Sequence, residues 1–219
     1  MDLRENSLKS NEIKKIILTQ NKMEEVKIGN QIWMTKNLNV DKFRNEKSIP
    51  QAQTNEEWQK AEKSKKPVWC YYKFDPSNEE KYGKLYNWYA VNDQRGLAPD
   101  GWKVPSDEDW NELSEFLGGE SNAGKKMKYT DFWNGFNDEV GNGTNESGFS
   151  GLPGGQYNNM EHVVSIGNYG YWWSSTPGYK SYYASFRFLN FMVDKLGQGV
   201  LPKENCLSVR CMKIKENQL

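Results

Sequence analysis

Hydrophobic and polar residues first alternate in the stretch that follows the polar N-terminal part of the chain. Across residues 23–38 the hydrophobic positions fall on one side of two short runs, and Gly29-Asn30 separates the runs. The alternating positions are Val26, Ile28, Ile32 and Met34. Alternation on both sides of a Gly-Asn pair is typical of a β-hairpin, so two short strands are predicted here.

Two later segments combine helix-start signals with hydrophobic residues at helical spacing. Thr54-Asn-Glu-Glu57 is a capping-box pattern and predicts a helix that ends before Pro67. Ser106-Asp-Glu-Asp109 is a second such pattern, and Gly118-Gly119 ends the helix that follows it. Residues 85–89 suit a further, shorter helix. The hydrophobic face of the second helix consists of Trp110, Leu113, Phe116 and Leu117.

The C-terminal half begins with a stretch of unusual composition. Residues 129–179 contain no Lys or Arg, ten Gly and five acidic residues, and they predict loops with short strands. Tyr169–Phe191 then holds ten aromatic residues. Strands are predicted over Tyr171–Ser175, Tyr182–Leu189 and Leu207–Lys213. Because side chains alternate across a strand, not all of these rings can be buried, and an exposed aromatic surface is expected.

Composition limits the fold class. Aromatic residues make up 14% of the 219 residues, while hydrophobic residues as a whole reach only 36%. A chain with 19 Gly and few aliphatic residues does not suit a helical bundle. Its high content of aromatic residues argues against disorder. We predict a single domain at residues 23–215. A polar extension at 1–22, either a short helix or a disordered tail, precedes it, and a short tail at 216–219 follows.

The charges of the chain balance, with 29 Lys plus Arg and 29 Asp plus Glu. The chain has no excess positive charge that would favour binding to nucleic acid. It also contains no run of eighteen apolar residues that could span a bilayer. Met1–Asn21 lacks the hydrophobic stretch and cleavage site of a secretory signal. The localisation therefore stays open, and so does the oligomeric state.

Few residues support metal or catalytic chemistry. Three cysteines do not make a disulfide scaffold, and a zinc site would need all three to converge with His162 without a C-x-x-C motif. We predict no catalytic residue and no cofactor, although acidic and amide side chains in the loops could hold a structural calcium ion. The candidate calcium ligands are Asp131, Asn134, Asn137, Asp138, Glu139, Asn142, Asn145 and Glu146.

Seven segments, read in order, resemble one known family. They are Val26-Lys-Ile-Gly-Asn-Gln-Ile-Trp33, Lys36-Asn-Leu38, Gly83-Lys-Leu-Tyr-Asn-Trp88, Gly96-Leu-Ala-Pro-Asp-Gly-Trp-Lys-Val-Pro-Ser106, Ser147-Gly-Phe-Ser-Gly-Leu-Pro-Gly-Gly155, Gly170-Tyr-Trp-Trp-Ser-Ser-Thr176 and Ser208-Val-Arg-Cys211. Together they are similar to the Fibrobacter succinogenes major paralogous domain. The resemblance implies an α+β, C-type-lectin-like fold with a small twisted antiparallel sheet, two main helices and long loops rich in Gly and Trp. It also implies a surface or extracellular protein that binds ligands.

Two departures from the family pattern bear on that expectation. Family members often carry a cysteine where this chain has Ala98, and the resemblance implies that it would pair with the residue matching Cys211. Without that partner, Cys211 either stays a buried free thiol, which is the expectation here, or pairs with Cys70 or Cys206. The segment 177–205 resembles the variable segment of lectin-like proteins that are diversified by retroelements, so diversification is a further hypothesis.

The expected function is non-catalytic recognition of a protein or glycan through an aromatic-rich face. Tyr supplies amphipathic contact area at small entropic cost, and Ser supplies adaptable hydrogen bonds. The expected ligand-binding residues are Tyr169, Tyr171, Tyr179, Ser181, Tyr182, Tyr183, Ser185, Phe186, Arg187, Phe188, Asn190 and Asp194.

Two other classes of function remain as alternatives. One is a structural subunit of an appendage or a phage tail. The other is an enzyme, because the spacing of Cys206 and Cys211 is reminiscent of the cysteine pair in formylglycine-generating oxidases, which share a lectin-like fold. On one extended strand, however, residues five apart point to opposite faces, and these thiols should not meet.

Overall fold

The computed structural model describes residues 24–135, 141–158 and 166–215. Within these ranges the chain forms ten strands and five α-helices. The strands are β1 (Glu25–Ile28), β2 (Gln31–Met34), β3 (Trp69–Cys70), β4 (Leu85–Asn87), β5 (Trp102–Lys103), β6 (Tyr169–Pro177), β7 (Tyr183–Asn190), β8 (Gly197–Pro202), β9 (Cys206–Leu207) and β10 (Met212–Lys213). The helices are α1 (Asn55–Ser64), α2 (Glu79–Tyr82), α3 (Trp88–Val91), α4 (Asp107–Phe116) and α5 (Glu120–Met127).

The strands form three small antiparallel sheets, whereas the resemblance implied one. Their strand orders are β1-β2-β10-β5, β3-β4-β9 and β6-β7-β8. The fold is therefore mixed α and β, and the first and last described strands share one sheet, in which β10 lies between β2 and β5. Among the described helices, none is both long enough and apolar enough to cross a bilayer.

The predicted hairpin and the two capped helices are confirmed. Strands β1 and β2 pair through the turn at Gly29, whose φ of 58° lies in the left-handed region that suits glycine. The Thr54 hydroxyl accepts a hydrogen bond from the backbone N–H of Glu57 at the start of α1. At α4, Ser106 and Asp109 form a complete capping box.

Helix α5 was not predicted, because glycine and asparagine give its sequence a low helix propensity. Packing explains why it forms. At Gly124 an added Cβ would lie 2.4 Å from the backbone oxygen of Asp194, so only glycine permits this approach. Ala123 and Met127 are buried on the same side of the helix. Tertiary contacts therefore stabilise a helix that local preference does not favour.

The helix prediction for residues 85–89 was only half correct, because the segment divides between β4 and α3. Asn87 is the last residue of β4 and directly precedes α3. Its side-chain oxygen accepts hydrogen bonds from the backbone N–H groups of Ala90 and Val68, both at 3.1 Å. One side chain thus caps the short helix and ties it to the strand region before β3.

The third sheet confirms two predicted strands and adds one. Strands β6 and β7 lie where they were predicted, but β8 was missed because its sequence contains Gly197 and Gly199. Both glycines lie against rings of β7: an added Cβ at Gly197 would be 2.2 Å from a ring carbon of Phe188, and one at Gly199 would be 2.9 Å from Phe186. The rings occupy the space that side chains on the edge strand would need.

The predicted strand Leu207–Lys213 was wrong in its middle. Strand β9 ends at Leu207 and β10 begins at Met212, and the two belong to different sheets. Between them Arg210 donates to the backbone oxygen of Met34 at 3.1 Å, which holds the crossing segment against the first sheet. Cys206 and Cys211 therefore do not lie on one extended strand, and the argument that alternation along that strand separates their thiols was incorrect.

All three cysteines are buried free thiols, as expected for Cys211. Cys70 and Cys206 belong to one hydrophobic cluster, and Cys211 belongs to another. Burial raises the pKa of each of Cys70 and Cys211, to about 12 for Cys211. The expectations for residues 1–22, for His162 and for the tail 216–219 lie outside the described residues.

Candidate binding surfaces

The predicted aromatic face divides into buried and exposed parts. Five of the twelve expected ligand-binding residues are buried, so the expectation that they contact a ligand was wrong for them; they are Tyr171, Ser185, Phe186, Arg187 and Asn190. Four are intermediate in exposure: Tyr169, Tyr183, Phe188 and Asp194. The remaining three are exposed: Tyr179, Ser181 and Tyr182. The structure therefore does not place the twelve residues on one open surface.

Packing between rings explains the burial of the aromatic members. The parallel rings of Tyr169 and Tyr171 lie 5.6 Å apart, and Phe188 contacts both of them. Phe186 adds to this row, 5.7 Å from Tyr171, and only 8% of its surface is exposed. Burial raises the pKa of the Tyr171 hydroxyl. These rings lie against the core that contains Trp173, so their main role is packing.

The polar members make internal contacts instead of the expected ligand contacts. Arg187 is 3% exposed and donates to the carboxylate of Asp107 at 2.9 Å and to the side-chain oxygen of Asn111 at 3.0 Å, which ties β7 to α4. Asn190 accepts from the backbone N–H groups of two residues in the following turn. Asp194 forms an ion pair with Lys128, whose ammonium group is buried.

The exposed remainder forms a compact patch at the turn between β6 and β7. We call Tyr179, Lys180, Ser181, Tyr182 and Tyr183 the tyrosine tip. The ring of Tyr183 lies 5.6 Å from that of Tyr179 and 4.4 Å from that of Tyr182. Tyr179 is 76% exposed and Tyr182 is 48% exposed. The charge of Lys180 lies within 6 Å of both of these rings.

A cleft of about 410 Å³ lies elsewhere, and we call it the motif cleft. Asn37 and Arg210 form its floor, and both belong to segments that carry the family resemblance. The Asn37 side-chain oxygen accepts from Trp172 Nε1 at 2.8 Å and from Arg210 Nη2 at 2.8 Å. Its amide nitrogen donates to the backbone oxygen of Tyr82 at 2.9 Å. One asparagine thus joins segments from four distant parts of the chain.

Arg210 is the buried cation beneath this cleft. Its guanidinium donates to Asn37 and to the backbone oxygens of Met34 and Phe149, and it lies 4.5 Å from the centre of the Phe149 ring. Among the described residues no carboxylate forms an ion pair with it. Burial lowers its pKa. The hydrogen bonds and the ring contact therefore carry the stabilisation of this charge.

The wall of the motif cleft is aromatic. The rings of Tyr129 and Phe132 are nearly parallel, with 6.0 Å between their centres and 7° between their planes. Phe132 is 43% exposed and has a φ of 76°, which is unfavourable for a bulky side chain. The Lys81 ammonium lies 3.1 Å from the centre of the Phe132 ring, and burial lowers the pKa of that lysine.

Sequence reasoning did not identify this cleft. Asn37, Arg210, Ser150 and Leu152 were noted as parts of family segments, but separate segments carry no information about their convergence. Phe132 lies in the stretch without basic residues, and it was not singled out. The signal that was present was the position of Arg210 between the hydrophobic residues Val209 and Cys211.

The loops expected to hold calcium use several of their oxygens for internal bonds. Asn142 accepts from the backbone N–H of Trp133 at 3.0 Å, and Asn145 accepts from that of Ser150 at 2.8 Å. Asn137, Asp138 and Glu139 lie outside the described residues. Within the described ranges no group of three or more His, Cys, Asp or Glu side chains is arranged to hold a metal ion.

The comparisons with known proteins agree with the sequence segments. No curated protein and no solved structure is significantly similar to this chain. A model of the Fibrobacter succinogenes major domain matches residues 26–213, which include all the described strands and helices except Glu25, the first residue of β1. The chain therefore belongs to the Fibrobacter succinogenes major domain family.

Proposed function

We propose that this protein is a non-catalytic recognition module that binds a protein partner through the tyrosine tip. One observation carries the proposal: three tyrosines pack on one another at the end of a hairpin, where two of them keep much of their surface exposed. Rings held by their neighbours lose little conformational freedom on binding. Tyrosine is also among the residues that most often dominate interface energies.

The support behind the tip is rigid. Strand β7 pairs with β8 over residues 183–188, the end nearest the tip, and the backbone N–H of Lys203 donates to the backbone oxygen of Tyr182 at 3.0 Å. The buried pair of Arg187 and Asp107 fixes the same strand to α4. A recognition surface on a fixed scaffold needs less ordering when it binds, which favours affinity.

The chemistry of the tip favours an acidic protein surface as its partner. The Lys180 ammonium lies within 6 Å of the exposed rings of Tyr179 and Tyr182. Lys203, which follows β8, adds a second positive charge and lies 4.5 Å from the buried ring of Trp88. Cations beside exposed rings give both a hydrophobic contact and a directional charge. A glycan is the competing class of ligand, and it is an outcome of the test below.

The proposal includes a C-type-lectin-like classification of the fold. Three features support it: small antiparallel sheets, the two ten-residue helices α1 and α4, and long loops between α5 and β6. The burial of residues around the tip also limits which positions could be diversified. Diversified positions would be found among the exposed residues of the tip, whereas Ala184 and Leu189 are fully buried and would stay constant.

The test is binding of the purified full chain to an array of proteins and to an array of glycans. We expect protein ligands whose binding is lost in the double variant Tyr179→Ala/Tyr182→Ala. Binding should persist in Phe116→Ala, which removes a ring that is 64% exposed but distant in sequence from the tip. Protein binding that survives the double variant would refute the tip as the site, and tip-dependent binding to glycans alone would replace the protein partner by a glycan.

A further inference from the structure

We propose that the motif cleft is a second binding site, and that it takes a neutral saccharide unit. This inference is independent of the function proposed for the tyrosine tip. Three properties of the cleft support it: its size, its aromatic wall, and the balance of charged groups around it. Together they point to a small ligand that is partly apolar and rich in hydroxyl groups.

The size suits a small ligand or one unit of a larger one. Clefts that bind small molecules enclose roughly 300–1,000 Å³, and this one encloses about 410 Å³. Its floor is rigid, because Asn37 and Arg210 are held by the hydrogen bonds described above. A ligand would therefore enter a site that is already formed.

The wall offers what a sugar ring needs on its apolar side. The faces of a pyranose carry C–H groups with a small positive charge, and the face of an aromatic ring is negative. Tyr129 and Phe132 line the cleft with nearly parallel rings. The Lys81 ammonium covers one face of Phe132, so a sugar would stack on the ring surface that Lys81 leaves free. The backbone of Phe132 adopts an unfavourable left-handed conformation to hold its ring there, and such conformations concentrate at functional sites.

The charged groups around the cleft favour hydroxyls over an ionic ligand. Three carboxylates and three cations line it, so their formal charges cancel. Some are already paired: Lys36 lies 2.9 Å from Glu24, and Glu79 lies 3.0 Å from Lys84. Hydrogen bonds from Tyr71 and Lys84 lower the pKa of Glu79, which keeps its carboxylate an acceptor. A hydroxyl both donates and accepts, so it suits a lining that offers both kinds of group.

The experiment is calorimetric titration of the full chain with four neutral hexasaccharides, namely cellohexaose, maltohexaose, mannohexaose and chitohexaose. Hexagalacturonate serves as a charged probe. We expect at least one neutral hexasaccharide to bind with a dissociation constant below about 1 mM. If none of the four binds, or if hexagalacturonate binds more tightly than all of them, the proposal is overturned.

The variant Phe132→Gly separates binding from stability. Glycine accepts a φ of 76° without strain, so the melting temperature should stay the same or rise, while the loss of the ring should weaken saccharide binding by about tenfold or more. Phe116→Ala is the matched control and should bind the saccharide normally. Normal saccharide binding by Phe132→Gly would contradict the proposal, and so would a loss of saccharide binding in Tyr182→Ala.

Discussion

The tyrosine tip and the motif cleft are built in opposite ways. The tip consists of five consecutive residues, 179–183, whose exposed rings contact one another at the end of one hairpin. The cleft is lined by residues from Glu24 to Arg210, and partly buried hydrogen bonds of Asn37 join its floor to Trp172 and Arg210. A contiguous surface can change without disturbing the core, whereas a surface assembled from distant segments depends on the whole fold. The two regions should therefore respond differently to substitution.

The largest effect is expected from Asn37→Ala in the floor of the cleft. The variant leaves the indole N–H of Trp172 and two donors of Arg210 without their acceptor in a buried region. We expect a loss of about 3 kcal/mol in the free energy of unfolding, measured by urea denaturation. The matched control is Asn45→Ala, which removes an exposed side chain whose oxygen accepts only from the nearby backbone N–H of Lys47 among the described contacts, and it should cost far less. Equal losses in the two variants would mean that the network contributes little.

A smaller loss is expected from Gly197→Ala, which perturbs the sheet that supports the tip. The new Cβ would lie 2.2 Å from a carbon of the Phe188 ring, so the ring or the strand must move. We expect a destabilisation of about 2 kcal/mol in the same urea measurement. Gln198→Ala changes the exposed neighbouring residue and is the control. An unchanged stability in Gly197→Ala would show that Phe188 can turn away freely.

Alkaline pH should destabilise the core that underlies the cleft. Burial raises the pKa of Cys211 to about 12, and burial followed by its contact with Glu79 raises that of Tyr71 to about 12. The unfolded chain would ionise these groups from about pH 9 to 10 upward, before the folded chain does. The free energy of unfolding should therefore fall as the pH rises from about 9 to about 12, and the fall should be less steep in Cys211→Ala. A slope unchanged by that substitution would exclude Cys211 as a contributor.

The difference between tip and cleft also explains what could be predicted from the sequence. Local signals sufficed for the hairpin at Gly29 and for helix α4, because residues that are close in sequence determine a turn or a helix cap. They failed for α5 and β8, where contacts with Asp194 and Phe188 override the low propensity of glycine. The concentration of tyrosines indicated an exposed surface, but strand alternation alone could not show that other rings would cover Phe186.

The convergence of the cleft residues could not be predicted from the sequence, because it too depends on contacts between distant parts of the chain. Asn37 and Arg210 are 173 positions apart, and their contact depends on the insertion of β10 between β2 and β5. No sequence spacing of asparagine and arginine predicts such a contact. Their position inside segments that resemble the family was visible, but the geometry that makes them the floor of one site required the three-dimensional structure.

The smallest effect on stability is expected at the tip itself, from Tyr179→Ala. The side chain is 76% exposed, and its described ring contacts are with Tyr183 and with the charge of Lys180. Removal of an exposed ring without buried contacts should leave the urea midpoint unchanged within experimental error. Phe149→Ala is the informative contrast, because it removes a fully buried ring that contacts Arg210 and should unfold at much lower urea concentration. A clear loss of stability in Tyr179→Ala would mean that the tip is part of the core, and that its tyrosines were selected for packing instead of recognition.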